Sequence, residues 1–227
     1  MPRGNVSGCQ GCRGQCCRMY TVPLTGHDAF VIARELRLSL EQFAHLLPEP
    51  EPTATGVRLA PDAHPASLSL RRATDEPAPH RCVFLVTLDA GFERCGIHPQ
   101  RPYVCRTYPA RFRHGSVAIR EDALCPPDAW NISGLDLPAW RLTMLRQELE
   151  WTVYAYVVAC WNEAISEPVE AAAYFAWLLE VYARLEAMRA ALAPETFDDT
   201  VRRWLDVSGS SPVPAFMAHV EAAVGSG

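Results

Sequence analysis

The sequence predicts an α+β protein. An irregular cysteine-rich region of short strands and helices over residues 1–130 is followed by a C-terminal helical module over residues 131–227. Three observations predict this. Eight of the nine cysteines lie between Cys9 and Cys125, and only Cys160 lies beyond them. Charge divides at the same place, with 15 Arg against 13 acidic residues over 1–130 and 6 Arg against 13 over 131–227. Turn residues and short β-branched runs fill the first part, whereas helical spacing fills the second. The two parts are expected as a metal-binding domain and a helical module, with packing into one unit left open. A chain of 227 residues is long enough to bury a self-sufficient core.

The elements follow in order. Cys9, Cys12, Cys16 and Cys17 sit among Gly4, Gly8, Gly11 and Gly14, which favours tight turns over a regular element. Thr25 with Asp28 three residues on reads as the N-cap of a helix continuing through Leu36. Ser39 and Gln42 form a capping-box pattern for a second short helix ended by Pro48, and 48–52 reads as extended linker. Residues 82–88 and 92–97 read as strands joined at Asp89-Ala90-Gly91. A second hairpin pairs 111–113 with 117–119 around His114-Gly115. Asp136 and Pro138 suit the start of a long helix reaching about Glu163, and Pro168 opens another that ends near Pro194. Shorter helices are expected around Thr200 and Phe216. Trp140, Trp151, Trp161, Trp177 and Cys160 are expected in the core.

Composition excludes several function classes. Apolar residues at 49% and charged residues at 21% are ordinary globular values. A net charge of -5 gives no reason to expect nucleic-acid binding. All 21 basic residues are arginines, which removes Schiff-base lysine chemistry and Walker-type phosphate loops. The longest apolar run, residues 153–161, is far below the roughly 18–20 residues of a membrane span. The first twenty residues hold no apolar signal-peptide core, so a cytoplasmic chain with reduced thiols is expected. No Ser/His/Asp elbow, HExxH or deaminase signature is present.

In a reducing compartment, clustered cysteines read as metal ligands. The candidate set is Cys9, Cys12, Cys16, Cys17, Cys82, Cys95, Cys105 and Cys125. A C-x2-C pair in a glycine-rich turn aims two sulfurs at one metal. Adjacent Cys16 and Cys17 are harder to use together, because neighbouring side chains in extended backbone face opposite sides. The pair is expected either to serve two sites or to supply one ligand. Eight thiols suit two four-sulfur zinc sites or one iron–sulfur cluster, and spacing does not choose between them. Core packing of all eight is disfavoured, since they lie beside glycines, prolines and arginines.

The motifs Cys9…Cys12…Cys16-Cys17-Arg18, Cys82-Val83-Phe84-Leu85, Cys95-Gly96-Ile97-His98 with Arg101-Pro102, and Cys105-Arg106-Thr107-Tyr108-Pro109 resemble the YkgJ-type cysteine-cluster (CxxCxxCC) family. The resemblance spans roughly residues 5–126 and implies a zinc- or iron-chelating domain. One departure is an extra residue before Cys16. A distant relative of that family, the flagellin lysine N-methylase, is similar in its cysteine pattern and uses an iron–sulfur cluster with S-adenosylmethionine. That likeness implies an alternative, an iron–sulfur enzyme modifying a protein or small substrate. The radical C-x3-C-x2-C pattern fails, because Met19 stands where its third cysteine would follow Cys12 and Cys16.

Among the remaining residues, His98 and His80 are expected to hydrogen-bond structurally at the rim of the cluster rather than ligate. His27, His45, His64, His114 and His219 carry no pattern. Arg101 and Arg106 are the best candidates to offset thiolate charge, and Tyr103 and Tyr108 are expected to pack over the site. The leading expectation is a cytoplasmic metal-binding protein. Its helical module is the expected face for a protein partner, with no nucleic-acid or membrane partner.

Overall fold

A computed structural model describes residues 14–74, 80–88, 93–113, 116–125 and 136–191. Cys9, Cys12, both hairpin turns and the short helices expected near Thr200 and Phe216 lie outside the described residues. The described chain is mixed, as the sequence predicts, with short antiparallel strands and helices followed by two long helices.

The first elements are α1 (Gln15–Met19), α2 (Gly26–Leu36) and α3 (Leu40–Phe43). Helix α2 starts where the sequence places it. Thr25 Oγ1 accepts from Asp28 N at 3.1 Å while the Asp28 carboxylate accepts from Thr25 N at 3.2 Å. Gly26 is required there, because an added Cβ would run into the ring of Tyr182. Arg37 closes the helix in left-handed geometry at φ 56, its N–H reaching Ala33 O.

The Ser39–Gln42 capping box forms as expected, but its helix ends at Phe43. Residues Ala44–Pro48 are instead strand β1, paired antiparallel with β2 (Ala66–Leu70) from Ala44↔Leu70 to Pro48↔Ala66. The far edge of β2 takes the chain entering α2, with Leu24 N on Leu68 O and Leu70 N on Val22 O, each at 2.9 Å. Paired strands satisfy more backbone groups here than another helical turn would. The expected extended linker at 48–52 is corrected too. Glu49 is buried, and its carboxylate accepts from Thr53 N at 3.0 Å and from Thr53 Oγ1, folding the segment into a turn.

Both predicted hairpins are present. Strand β3 (Leu85–Thr87) pairs with β4 (Glu93–Cys95), and β5 (Ala110–Arg113) pairs with β6 (Ser116–Ile119). Between them lie a single 3-10 turn at His98–Gln100 and the five-residue helix α4 (Tyr103–Thr107). Helix α5 (Leu137–Ala164) starts at Asp136, whose side chain accepts from Ala139 N, and α6 (Ala171–Ala191) follows. No described helix is long and apolar enough to cross a membrane.

One hydrophobic cluster runs through both sequence regions, from Val22 and Ile32 through Phe43, Leu68 and Leu85 to Val157, Leu178 and Leu185. The largest wholly buried side chains are Tyr154, Tyr174 and Tyr182, not the tryptophans. Trp151, Trp161 and Trp177 are half-buried against this core. Trp161 has a polar edge to satisfy, and its Nε1 donates to Arg58 O at 2.8 Å. Cys160, expected in the core, is likewise half-buried on α5.

Candidate metal centre

The thiols of the sequence-predicted set arrive from separate short elements. Cys16 and Cys17 lie on α1, which begins after Gly14 in left-handed geometry at φ 65. At φ 65 an L side chain at Gly14 would be strained, and its Cβ, 2.9 Å from Leu85 Cδ1, would also push that side chain aside. Because α1 is helical, the expectation that Cys16 and Cys17 face opposite sides is corrected. Their sulfurs are 3.9 Å apart. Successive residues on a helix differ by about 100° rather than 180°, so both can address one centre.

Two links tie α1 to segments that carry other cysteines. Cys82 N donates to Cys17 O at 2.7 Å, placing the buried Cys82 beside α1. Arg18 on α1 forms an ion pair with Glu93 on β4, its Nε donating to Oε2 at 3.0 Å. Cys95 is two residues beyond Glu93 and opposite Leu85 in the β3–β4 register. Cys105 comes from α4. The five thiols act on one another electrostatically: charge on Cys16, Cys82 and Cys95 disfavours ionisation of both Cys17 and Cys105. Cys125 lies beside Tyr108, whose hydroxyl accepts from Leu124 N at 2.6 Å. No described cysteine forms a disulfide.

These couplings set the chemistry. Hydrogen bonding from Cys17 lowers Cys16 to about 7 against the opposing effect of burial, with help from the charge of Arg101. Cys17 is correspondingly raised, burial raises Cys82, and burial with the neighbouring thiols raises Cys105. The cluster by itself thus favours one thiolate and resists the next. A bound cation reverses that balance, because it stabilises every thiolate that reaches it. Soft sulfur donors suit zinc or iron. Among the described residues, no three Cys, His, Asp or Glu side chains already stand in a group able to hold a metal ion.

The surrounding residues are a mixture of expected and unexpected. Arg106 secures the 98–101 turn, its Nε donating to Arg101 O at 2.6 Å and its Nη2 to Pro99 O at 3.2 Å. Arg101 Nε donates to His98 O at 3.2 Å. His98 and His80 are exposed, and His80 adopts φ 75. Tyr108 stacks edge-on with Tyr20, their centroids 5.6 Å apart. Tyr103 stacks on His27 at 5.8 Å, and burial pushes its hydroxyl up to about 12.

Sequence reasoning missed a polar cluster beneath α4. His27 does belong to a pattern. Its Nδ1 is 3.2 Å from Glu186 and 3.1 Å from Arg189 Nη1, and Arg189 pairs with the buried Glu150 at 2.8 Å. Asp28, legible as a cap, also accepts from Tyr103 N at 3.0 Å. No short-range signal marks these contacts, since their partners lie 39 to 162 residues apart.

Over residues 8–126, just over half of the chain, the sequence matches the family model described as "CxxCxxCC: Putative zinc- or iron-chelating domain". No curated protein matches the chain, and no solved structure does. With the thiols gathered from α1, β4, α4 and the Cys82 turn inside that span, the chain belongs to the CxxCxxCC family of zinc- or iron-chelating domains.

Proposed function

We propose that the chain is a metal-binding protein in which Cys9, Cys12, Cys16, Cys17, Cys82, Cys95, Cys105 and Cys125 supply the ligands for zinc or an iron–sulfur cluster. The observation that carries this reading is the approach of thiols from separate segments, with the Cys16 and Cys17 sulfurs 3.9 Å apart, Cys82 N on Cys17 O at 2.7 Å and no disulfide among the described cysteines. Cys82 is buried in the apolar core, and Cys17, Cys95 and Cys105 pack against its edge while staying partly exposed. Cys9 and Cys12, a few residues before α1, together with Cys125 bring the thiols to eight, enough for two four-sulfur sites or for one iron–sulfur cluster with thiols to spare. A reducing compartment such as the cytoplasm fits thiols kept reduced. When bound, the metal supplies folding energy to a region whose own elements are three to five residues long.

Metal analysis with an absorption spectrum on protein purified without oxygen tests this. Colourless protein holding zinc supports a closed structural site. Brown protein with several irons per chain supports a cluster and turns the search toward substrate chemistry. Folded, fully reduced protein that takes up neither metal overturns the reading.

A further inference from the structure

We propose that Asp28 is a positioning residue for the thiol centre: its carboxylate holds the first turn of α4 and so sets where Cys105 presents its sulfur. The role rests on the metal-centre reading above. Capping a helix needs only a surface polar side chain, yet Asp28 is 5% exposed. A carboxyl group buried this deeply must be repaid by several hydrogen bonds. Oδ2 takes both donors of Thr25, N at 3.2 Å and Oγ1 at 2.9 Å. Oδ1 is thereby left for Tyr103 N at 3.0 Å. One side chain thus secures the start of α2 and the start of α4.

Helix α4 needs such an anchor. Five residues are too few to hold a helix by its own bonds, and its first N–H groups have no partner within it. Its other end is held as well, by Thr107 Oγ1 donating to Gln147 Oε1 on α5 at 2.8 Å. Cys105 lies midway between the two clamps. On the α2 side, the adjoining His27 meets Glu186 and Arg189 of α6. Asp28 therefore joins the thiol site to the most deeply buried part of the fold.

Cobalt(II) alone, titrated anaerobically into the reduced full chain, is the probe, because the thiolate-to-cobalt band scales with the number of sulfurs bound. Cys105→Ser should lose one sulfur's share, about a quarter of the band for a four-sulfur site. Asp28→Ala should lose the same share, and the double variant no more. Asp28→Asn keeps an oxygen for Tyr103 N and should restore the band, whereas Thr25→Val should weaken the fold and leave the band whole. A folded Asp28→Ala with the wild-type band overturns the proposal, as does an equal loss in Thr25→Val. Should Asp28→Ala not fold, hydrogen exchange of the wild type decides: zinc loading should slow the Tyr103 amide, and unchanged exchange overturns the proposal. Wild-type protein that binds no cobalt overturns the metal-centre reading itself, which separates the two failures.

Discussion

The thiol region and the α5–α6 pair are held together by different physics. Around the thiols the elements are three to five residues long, joined by individual polar links such as Arg18 to Glu93, Cys82 N to Cys17 O and Asp28 to Tyr103 N. The helical pair is 28 and 21 residues long and closes over Tyr154, Tyr174 and Tyr182. Apolar area buried by the second region stabilises it without help from any ion. The first region shares that core through only a few side chains, Cys82, Leu85 and Ile97 among them. On the proposed reading, a bound metal would fasten several such short pieces at once.

The sharpest way to break this contrast is a core deletion in the helical pair. Tyr174→Ala removes a wholly buried ring and the 3.0 Å contact between the Tyr154 and Tyr174 hydroxyls. A loss of about 3–5 kcal/mol is expected, read from urea unfolding monitored by circular dichroism. Next in size is Gly26→Val, which forces a side chain into Tyr182 where α2 meets α6. Overpacking there should cost about 1–3 kcal/mol in the same assay.

The polar cluster between the two regions gives a pH signature. Burial opposes charge on His27, but Glu150 and Glu186 outweigh it and raise the imidazole above its ordinary value of 6.5. Glu186 is also opposed by burial, yet His27 and Arg189 lower it below 4.5. The His27 contribution is full below about 6.5 and is lost as pH rises through its raised folded value. The Glu186 contribution is full above about 4.5 and is lost as pH falls through its lowered value. Stability from this pair should therefore be greatest between those limits. The urea midpoint in reductant should fall on going from mildly acidic to mildly alkaline buffer, and His27→Gln should flatten that slope. An unchanged slope in the variant would assign the pH dependence elsewhere.

The smallest effect belongs to the link between α1 and β4. Arg18 is 38% exposed on its side chain, so solvent screens its pair with Glu93. Glu93→Gln should lower stability by about 0.2–1 kcal/mol. On the proposed metal-centre reading it should nonetheless weaken metal retention under chelator competition, because that link ties β4, which carries Cys95, to α1, which carries Cys16 and Cys17. Equal chelator resistance in variant and wild type would show that backbone pairing alone is sufficient.

Much of this molecule was legible residue by residue. The caps at Thr25 and Asp136 and the β3–β4 and β5–β6 hairpins depend on residues within a few positions of one another, and all are where the sequence puts them. Strand β1 was not legible, because its partner lies across the 49–65 connection and a capping box stands just before it. The orientation of Cys16 and Cys17 was misread for a related reason. The glycines before the pair suggest turns and extended backbone, whereas a single helical turn swings the two sulfurs onto one side.

By itself, the sequence determined the family, the two later hairpins and the starts of the main helices, since composition, spacing and capping act over short stretches of chain. Only the tertiary structure decided that Asp28 reaches Tyr103, that His27 meets Glu186, and that tyrosines rather than tryptophans fill the core. Those outcomes depend on which faces of distant helices meet. That choice is made by burial of the whole apolar surface at once and is encoded in no local run of residues.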